Sequence, residues 1–257
     1  MKTFFRGITI LAFGALLMVP SLAADAQGNA KADPTAYKLL ESAHNNRQVM
    51  PDDFPGFTAD VTFTNEGKEY KGTLRYKRGE ESQVKFDGLE KDDKAWVEDQ
   101  LLSIIGHRRG GDFAKGDGRH PLSLGADKNA FGQLINLNDQ LQSSYRVRDN
   151  QVTEVTRVMD DLRFTISVIQ TMQADGGKYL PQHFVVSYRD NKTGALKELW
   201  AFRDAYQKLG GAWLPLSRTV VIFDDKTTPS TRSLRLGNVQ ILPVTTAQAA
   251  TAGGVNR

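Results

Sequence analysis

From residue 122 to residue 241 the chain is a nearly unbroken series of β-type runs divided by short turns. Parallel pairing needs crossovers of a dozen or more residues, so short turns leave only an antiparallel meander. Ser144 to Arg148, Val152 to Val158 and Leu162 to Thr171 are separated by Asp149-Asn150 and Asp160-Asp161. Leu180 to Tyr188 precedes the turn Asn191-Lys192-Thr193-Gly194. Leu196 to Tyr206 turns back at Gly210-Gly211 into Trp213 to Phe223, and Asp224-Asp225-Lys226 leads to a last strand, Thr231 to Ile241. An earlier hairpin has the same signature. Phe57, Ala59, Val61 and Phe63 alternate along one face, Asn65-Glu66-Gly67 is a turn, and Tyr70, Gly72, Leu74 and Tyr76 alternate on the return. A third strand follows around Gln83 to Phe86. The expected architecture is a mainly β (α+β) domain, a curved antiparallel sheet or half-open β-barrel of many strands, with two helices from the N-terminal side over its concave face.

Those helices are marked by period and caps. Asp33-Pro34 supplies an N-cap and a first-turn proline, and Tyr37, Leu40 and Ala43-His44 fall on one stripe. Between Asp92 and Ile105, Trp96-Val97, Gln100-Leu101 and Ile104-Ile105 recur at helical spacing. Asp92, Asp93, Glu98 and Asp99 are expected to face water, and Gly110 is placed to cap the end. Residues from Gly106 to Gly118 read as a polar, glycine-rich loop.

The first residues carry an export signal: Lys2 and Arg6, an apolar run from Ile8 to Val19, then Pro20 and the small residues Ser21-Leu22-Ala23. The run is short of the roughly 20 apolar residues that span a bilayer. Cleavage is expected after Ala23, with Ala26 a near alternative. The expected division is a signal peptide at 1–23, a flexible leader at 24–33, one domain at 34–243 and a disordered Ala/Thr/Gly tail at 244–257. Losing Lys2 and Arg6 takes the formal charge from +3 to +1. Near-neutrality gives no reason to expect nucleic acid as a partner. With no cysteine, disulfides, thiolate metal sites, a thiol nucleophile and a lipidated N-terminal cysteine are excluded, so the core alone holds the fold.

Five stretches keep a recognisable order: Asp53-Phe54-Pro55-Gly56-Phe57-Thr58-Ala59-Asp60, Ile105-Gly106-His107-Arg108, Ser123-Leu124-Gly125, Tyr145-Arg146-Val147-Arg148-Asp149-Asn150 and Lys192-Thr193-Gly194. On these, residues 36 to 242 resemble the family called domain of unknown function 3386. The order of elements resembles the LolA-like fold, a half-open β-barrel covered by helices over an apolar cavity. The resemblance implies a binding fold and no established activity. Relatives carry histidines where this chain has Asp117 and Thr156, with Arg157 kept, so metal or histidine chemistry does not carry over.

No motif forces an enzyme. His44, His107, His120 and His183 lack metal-ligand spacing, and no metal or cofactor is expected. Gly111-Asp112-Phe113-Ala114-Lys115-Gly116 has the spacing of a phosphate loop, but Asp117 stands where Lys is required. No Gly-x-Ser-x-Gly elbow occurs. His107, Arg108 and Arg109 either answer a helix dipole or form a cationic lip for an anionic head group. Arg146 and Arg148, two apart on one strand, either bind an anion or meet acids across the sheet. Trp96, Leu101, Ile104, Ile105, Phe57, Phe63, Tyr70, Tyr76, Trp200 and Phe202 are either ordinary core or the lining of a cavity for acyl chains. The function expected is an exported carrier or sensor for an apolar or amphiphilic ligand, such as a lipid or lipoprotein acyl chain, without stable membrane insertion. Two alternatives remain open: a hydrolase with a carboxylate/Arg site, and a structural envelope component.

Overall fold

The structure, a computed structural model, describes residues 32–225 and 228–243. The expected signal segment, most of the leader and the tail lie outside the described residues. The first helix, α1 (Pro34–Asn45), begins where the sequence caps it. The Asp33 carboxylate accepts hydrogen bonds from the amides of Thr35 (2.7 Å) and Ala36 (3.2 Å), two N–H groups that a helix leaves without partners. Its buried stripe is Ala36, Leu40 and Ala43.

Strands β1 (Gly56–Asn65) and β2 (Lys68–Lys77) form the expected hairpin. Both turn residues, Glu66 and Gly67, have positive φ (48° and 81°), the conformation whose twist matches the flanking strands. Strand β3 (Gln83–Phe86) pairs with β2. At Gly72 a Cβ would stand 2.4 Å from the Lys85 carbonyl oxygen and 2.6 Å from the Phe86 ring, so only glycine lets the two strands close here. Helix α2 (Lys91–Gly106) follows, then β4 (Ser123–Asn129), β5 (Gly132–Asn136), β6 (Ser144–Arg148), β7 (Gln151–Met159) and β8 (Leu162–Gln173). The last four are β9 (Tyr179–Asp190), β10 (Leu196–Leu209), β11 (Ala212–Phe223) and β12 (Ser230–Ile241).

The twelve strands among the described residues belong to one open, curved antiparallel sheet in the order β3-β2-β1-β12-β11-β10-β9-β8-β7-β6-β5-β4. Each neighbour is also a neighbour in sequence except at one seam, where β1 pairs with β12 from Phe57↔Ile241 to Asn65↔Arg232. The order is a meander bent until its ends meet, and cut open between β3 and β4. The chain crossing the cut carries α2. This helix wedges Trp96, Val97, Leu101 and Ile105 among Phe57, Phe63, Leu74, Phe202 and Leu234. Helix α1 packs at the other end of the sheet with Phe113, Leu122, Ile135, Tyr145 and Val155.

Two local expectations change. Helix α2 ends at Gly106 with His107 as cap in ordinary right-handed conformation, and Arg108 and Arg109 donate back to Ile105 and Gly106 at 3.0 and 3.1 Å. These tight turns satisfy the last carbonyls, so no glycine cap is needed and Gly110 does not act as one. Asp93 does not face water. It accepts from Asn65 Nδ2 at 3.1 Å and pairs with Arg232 at 3.3 Å.

Candidate functional site

The C-terminal ends of both helices are tied to the start of β9. Gln48 donates its amide to Tyr179 O (2.9 Å), Tyr179 donates to Asn46 O (3.2 Å), and Met50 donates to Arg108 O (2.7 Å). The Tyr179 hydroxyl accepts from the Val152 amide at 3.0 Å and reaches Ala43 O at 3.4 Å. Between these ends and the sheet lies a cavity of about 110 Å³. One wall is apolar: Leu40 from α1, and Val152, Val155, Ile166, Val168 and Phe184 from β7, β8 and β9.

The other side is polar and ordered in pairs. Arg218 on β11 donates to Asp204 on β10 through Nε (2.8 Å) and Nη2 (2.7 Å), and through Nη1 to Gln100 Oε1 on α2 (3.0 Å). Both charged residues are 2% exposed. Two parallel bonds between a guanidinium and a carboxylate are the strong form of this contact. The Tyr206 hydroxyl is 3.1 Å from Asp204 Oδ2. Asp117 accepts from the Tyr145 hydroxyl (3.0 Å) and faces Arg157 at 3.8 Å, while Arg157 Nη2 donates to the same hydroxyl (2.7 Å). Burial pushes the Tyr145 and Tyr206 phenols well up, so both stay protonated.

Four further groups complete the rim. Burial, with Arg108 and Arg218 close by, holds His107 well below the ordinary histidine value, and burial with Arg47 lowers His44. Both rings are neutral at pH 7. Arg47 donates from Nε to His44 O (3.1 Å), and Nη2 lies 3.1 Å from His44 Nδ1. Burial lowers its pKa too. Arg108 is 7% exposed, its guanidinium carbon 5.3 Å from the centroid of the Tyr206 ring. Its Nε has no hydrogen-bond partner among the described residues. Among the described residues no carboxylate forms an ion pair with Arg47 or Arg108, and no group of three or more His, Asp or Glu lies close enough to hold a metal ion.

Of the residues singled out from sequence, His107 and Arg108 line the cavity. Arg109 is exposed over the Tyr76 ring at 5.5 Å. Arg146 is held by Asp127 (2.5 Å), Glu154 (3.1 Å) and Gly132 O (3.3 Å), and Arg148 by Ala130 O and Asp149 (3.6 Å). None of the ten large apolar candidates is in the lining. Phe57, Phe63, Tyr76, Trp96, Leu101, Ile105 and Phe202 are buried in the α2 core, with Tyr70 and Trp200 packed against it, and Ile104 is buried on α2. Arg47, Asp117, Tyr145, Asp204 and Arg218 were not read from sequence as one site.

Comparison with solved structures gives loose overlaps. A LolA superfamily protein from Nitrosomonas europaea covers 82% of this chain and 94% of its own, at 9% identity and a TM-score of 0.28. A putative outer membrane lipoprotein-sorting protein domain from Vibrio parahaemolyticus covers 79% and 91%, at 8% and 0.30. A DUF1329 family protein from Desulfovibrio piger covers 82% and 93%, at 10% and 0.29. Overlaps this loose leave the fold description to rest on the strands and helices themselves. Among curated proteins none matches the sequence. The model of the family described as "Protein of unknown function (DUF3386)" matches residues 31–242, and the chain belongs to that family.

Proposed function

We propose that this chain is an exported, non-catalytic binding protein, a carrier or sensor of the cell envelope, whose cavity takes an apolar or amphiphilic, lipid-like ligand. The observation that carries the reading is the apolar wall of the cavity, set where two helices meet the inner face of the sheet. No helix among the described residues is long and apolar enough to cross a membrane. At about 110 Å³ the cavity is smaller than the roughly 300–1,000 Å³ of ordinary ligand pockets. It therefore admits part of a chain as it stands, and a whole acyl chain only if α1 or α2 shifts. Native mass spectrometry of protein purified from its own envelope should show a bound apolar species, and the emptied protein should bind an apolar fluorescent probe. A ligand-free spectrum together with no probe binding would count decisively against the proposal.

One observation favours a hydrolase instead: His44, His107, Asp117 and Asp204 line the same cavity. The bonding argues the other way. Asp204 is spent on Arg218, Asp117 accepts from Tyr145, and His107 sits among cations that oppose its protonation. Asp117→Asn should leave hydrolysis of chromogenic esters at background, equal to the wild type. A wild-type rate that this change abolishes would restore the enzyme reading.

A further inference from the structure

The two acids of the cavity already have cations: Arg218 answers Asp204, and Arg157 answers Asp117. Arg47 and Arg108 form no ion pair with a carboxylate among the described residues, and the Asp117 charge reaches Arg47 only at longer range. A buried guanidinium is costly unless its charge is answered and its N–H groups are bonded. Among the described residues the Arg108 guanidinium meets a ring face, and its Nε has no hydrogen-bond partner. Buried orphan donors are rare in native proteins, and an oxyanion, unlike water, answers both the open N–H and the guanidinium charge. The neighbouring polar groups agree. Arg47 and Arg108 line the same cavity, and after burial the Arg108 charge further disfavours charge on Arg47, which an anion between them relieves. His44, His107 and the protonated phenols can donate or accept hydrogen bonds without adding negative charge.

Resting on the reading of the cavity as a binding pocket, we infer that its polar side is an oxyanion subsite. Arg108 and Arg47 hold the carboxylate or phosphate of a single-chain amphiphile, and the apolar part of the ligand runs against Leu40, Val155 and Ile166. The volume sets the limit. At about 110 Å³ the cavity is well short of the roughly 300–1,000 Å³ that holds a whole ligand, which suits one head group and the first few carbons of one chain. The planar five-donor fork of arginine suits a two-oxygen head group better than a lysine would.

The test is isothermal titration of the wild type, Arg108→Gln and Arg47→Gln with sodium decanoate, decanol and inorganic phosphate. The wild type should bind decanoate roughly tenfold or more tightly than decanol. Arg108→Gln should lose that preference while its decanol affinity stays within about twofold. Should Arg108→Gln fail to fold, Arg47→Gln carries the same comparison. Equal wild-type affinities for decanoate and decanol, or a preference that survives both substitutions, would overturn the subsite. If neither amphiphile binds but phosphate does, and Arg108→Gln abolishes it, the anion subsite stands and the lipid reading falls. If decanol binds and no anion is preferred, the lipid reading stands and the subsite falls. If nothing binds, both fall.

Discussion

Two buried arginines lie in one cavity wall, and their surroundings give them opposite energetic signs. Arg218 has Asp204 and Gln100, whereas Arg108 has a tyrosine ring. Removing one partner of a buried pair strands the other charge, so Asp204→Asn should cost about 3–5 kcal/mol in denaturant unfolding. Replacing both together, as Asp204→Leu with Arg218→Met, should cost much less. Arg108→Gln removes a charge with no counter-charge, and the ligand-free protein should lose no more than about 1 kcal/mol, or gain. His107 adds a pH term. Its folded-state pKa lies below the ordinary value of 6.5, through burial first and then the surrounding Arg108, Arg218, Arg47 and Arg157. The unfolded chain thus binds the extra proton first. Stability from this residue is fully present above about pH 6.5 and falls as pH drops toward the folded value, by up to about 1.4 kcal/mol per pH unit. His44 and His120 are lowered as well and add with the same sign. Thermal melts between pH 7.5 and 5.5 should show the loss, and His107→Gln should reduce it to the part that His44 and His120 supply.

Helix α2 does two jobs along its length. Its Trp96 face is core: the ring centroid lies 5.5 Å from that of Phe63, and the Arg232 guanidinium covers it at 5.2 Å. Its C-terminal cap and the residue after it, His107 and Arg108, reach the cavity. Trp96→Ala should therefore destabilise by about 3–5 kcal/mol, yet leave the affinity of folded protein for decanoate within a few-fold, measured by titration well below the unfolding transition. Alternation and turn residues in the sequence placed most strands to within one to three residues, because a half-buried strand must alternate. Strands β4 and β5 escaped, since β4 is exposed along nearly all its length and has no apolar face to betray it. The Asp204–Arg218 pair was illegible for a sharper reason. Counting outward from the Gly210-Gly211 turn through Leu209↔Ala212 and Tyr206↔Pro215 puts Asp204 opposite Ser217. A bulge between Ala205 and Tyr206 shifts the register by one and sets Asp204 opposite Arg218 instead. Nothing in the local sequence announces that bulge, and without it the two charges would point to opposite faces. His107 and Arg108 were legible as a cationic helix end, but their partners come from strands a hundred residues downstream.

The sheet as a whole depends on one non-local seam. Every other strand pair forms between neighbours in sequence, yet β1 waits for β12, Phe63 for Leu234 and Val61 for Leu236. Until then both strands are edges, with unpaired N–H and C=O groups, and the α2 core lacks its floor. A chain ending before Ser230 should accordingly show no cooperative unfolding transition by circular dichroism. The seam also sets a clock. A pairing of the earliest strand with the last cannot form while the C-terminal segment is still being made, and topologies dominated by distant contacts fold in milliseconds to seconds. The strand that commits the sheet to its native state is thus the last of the described strands to be made.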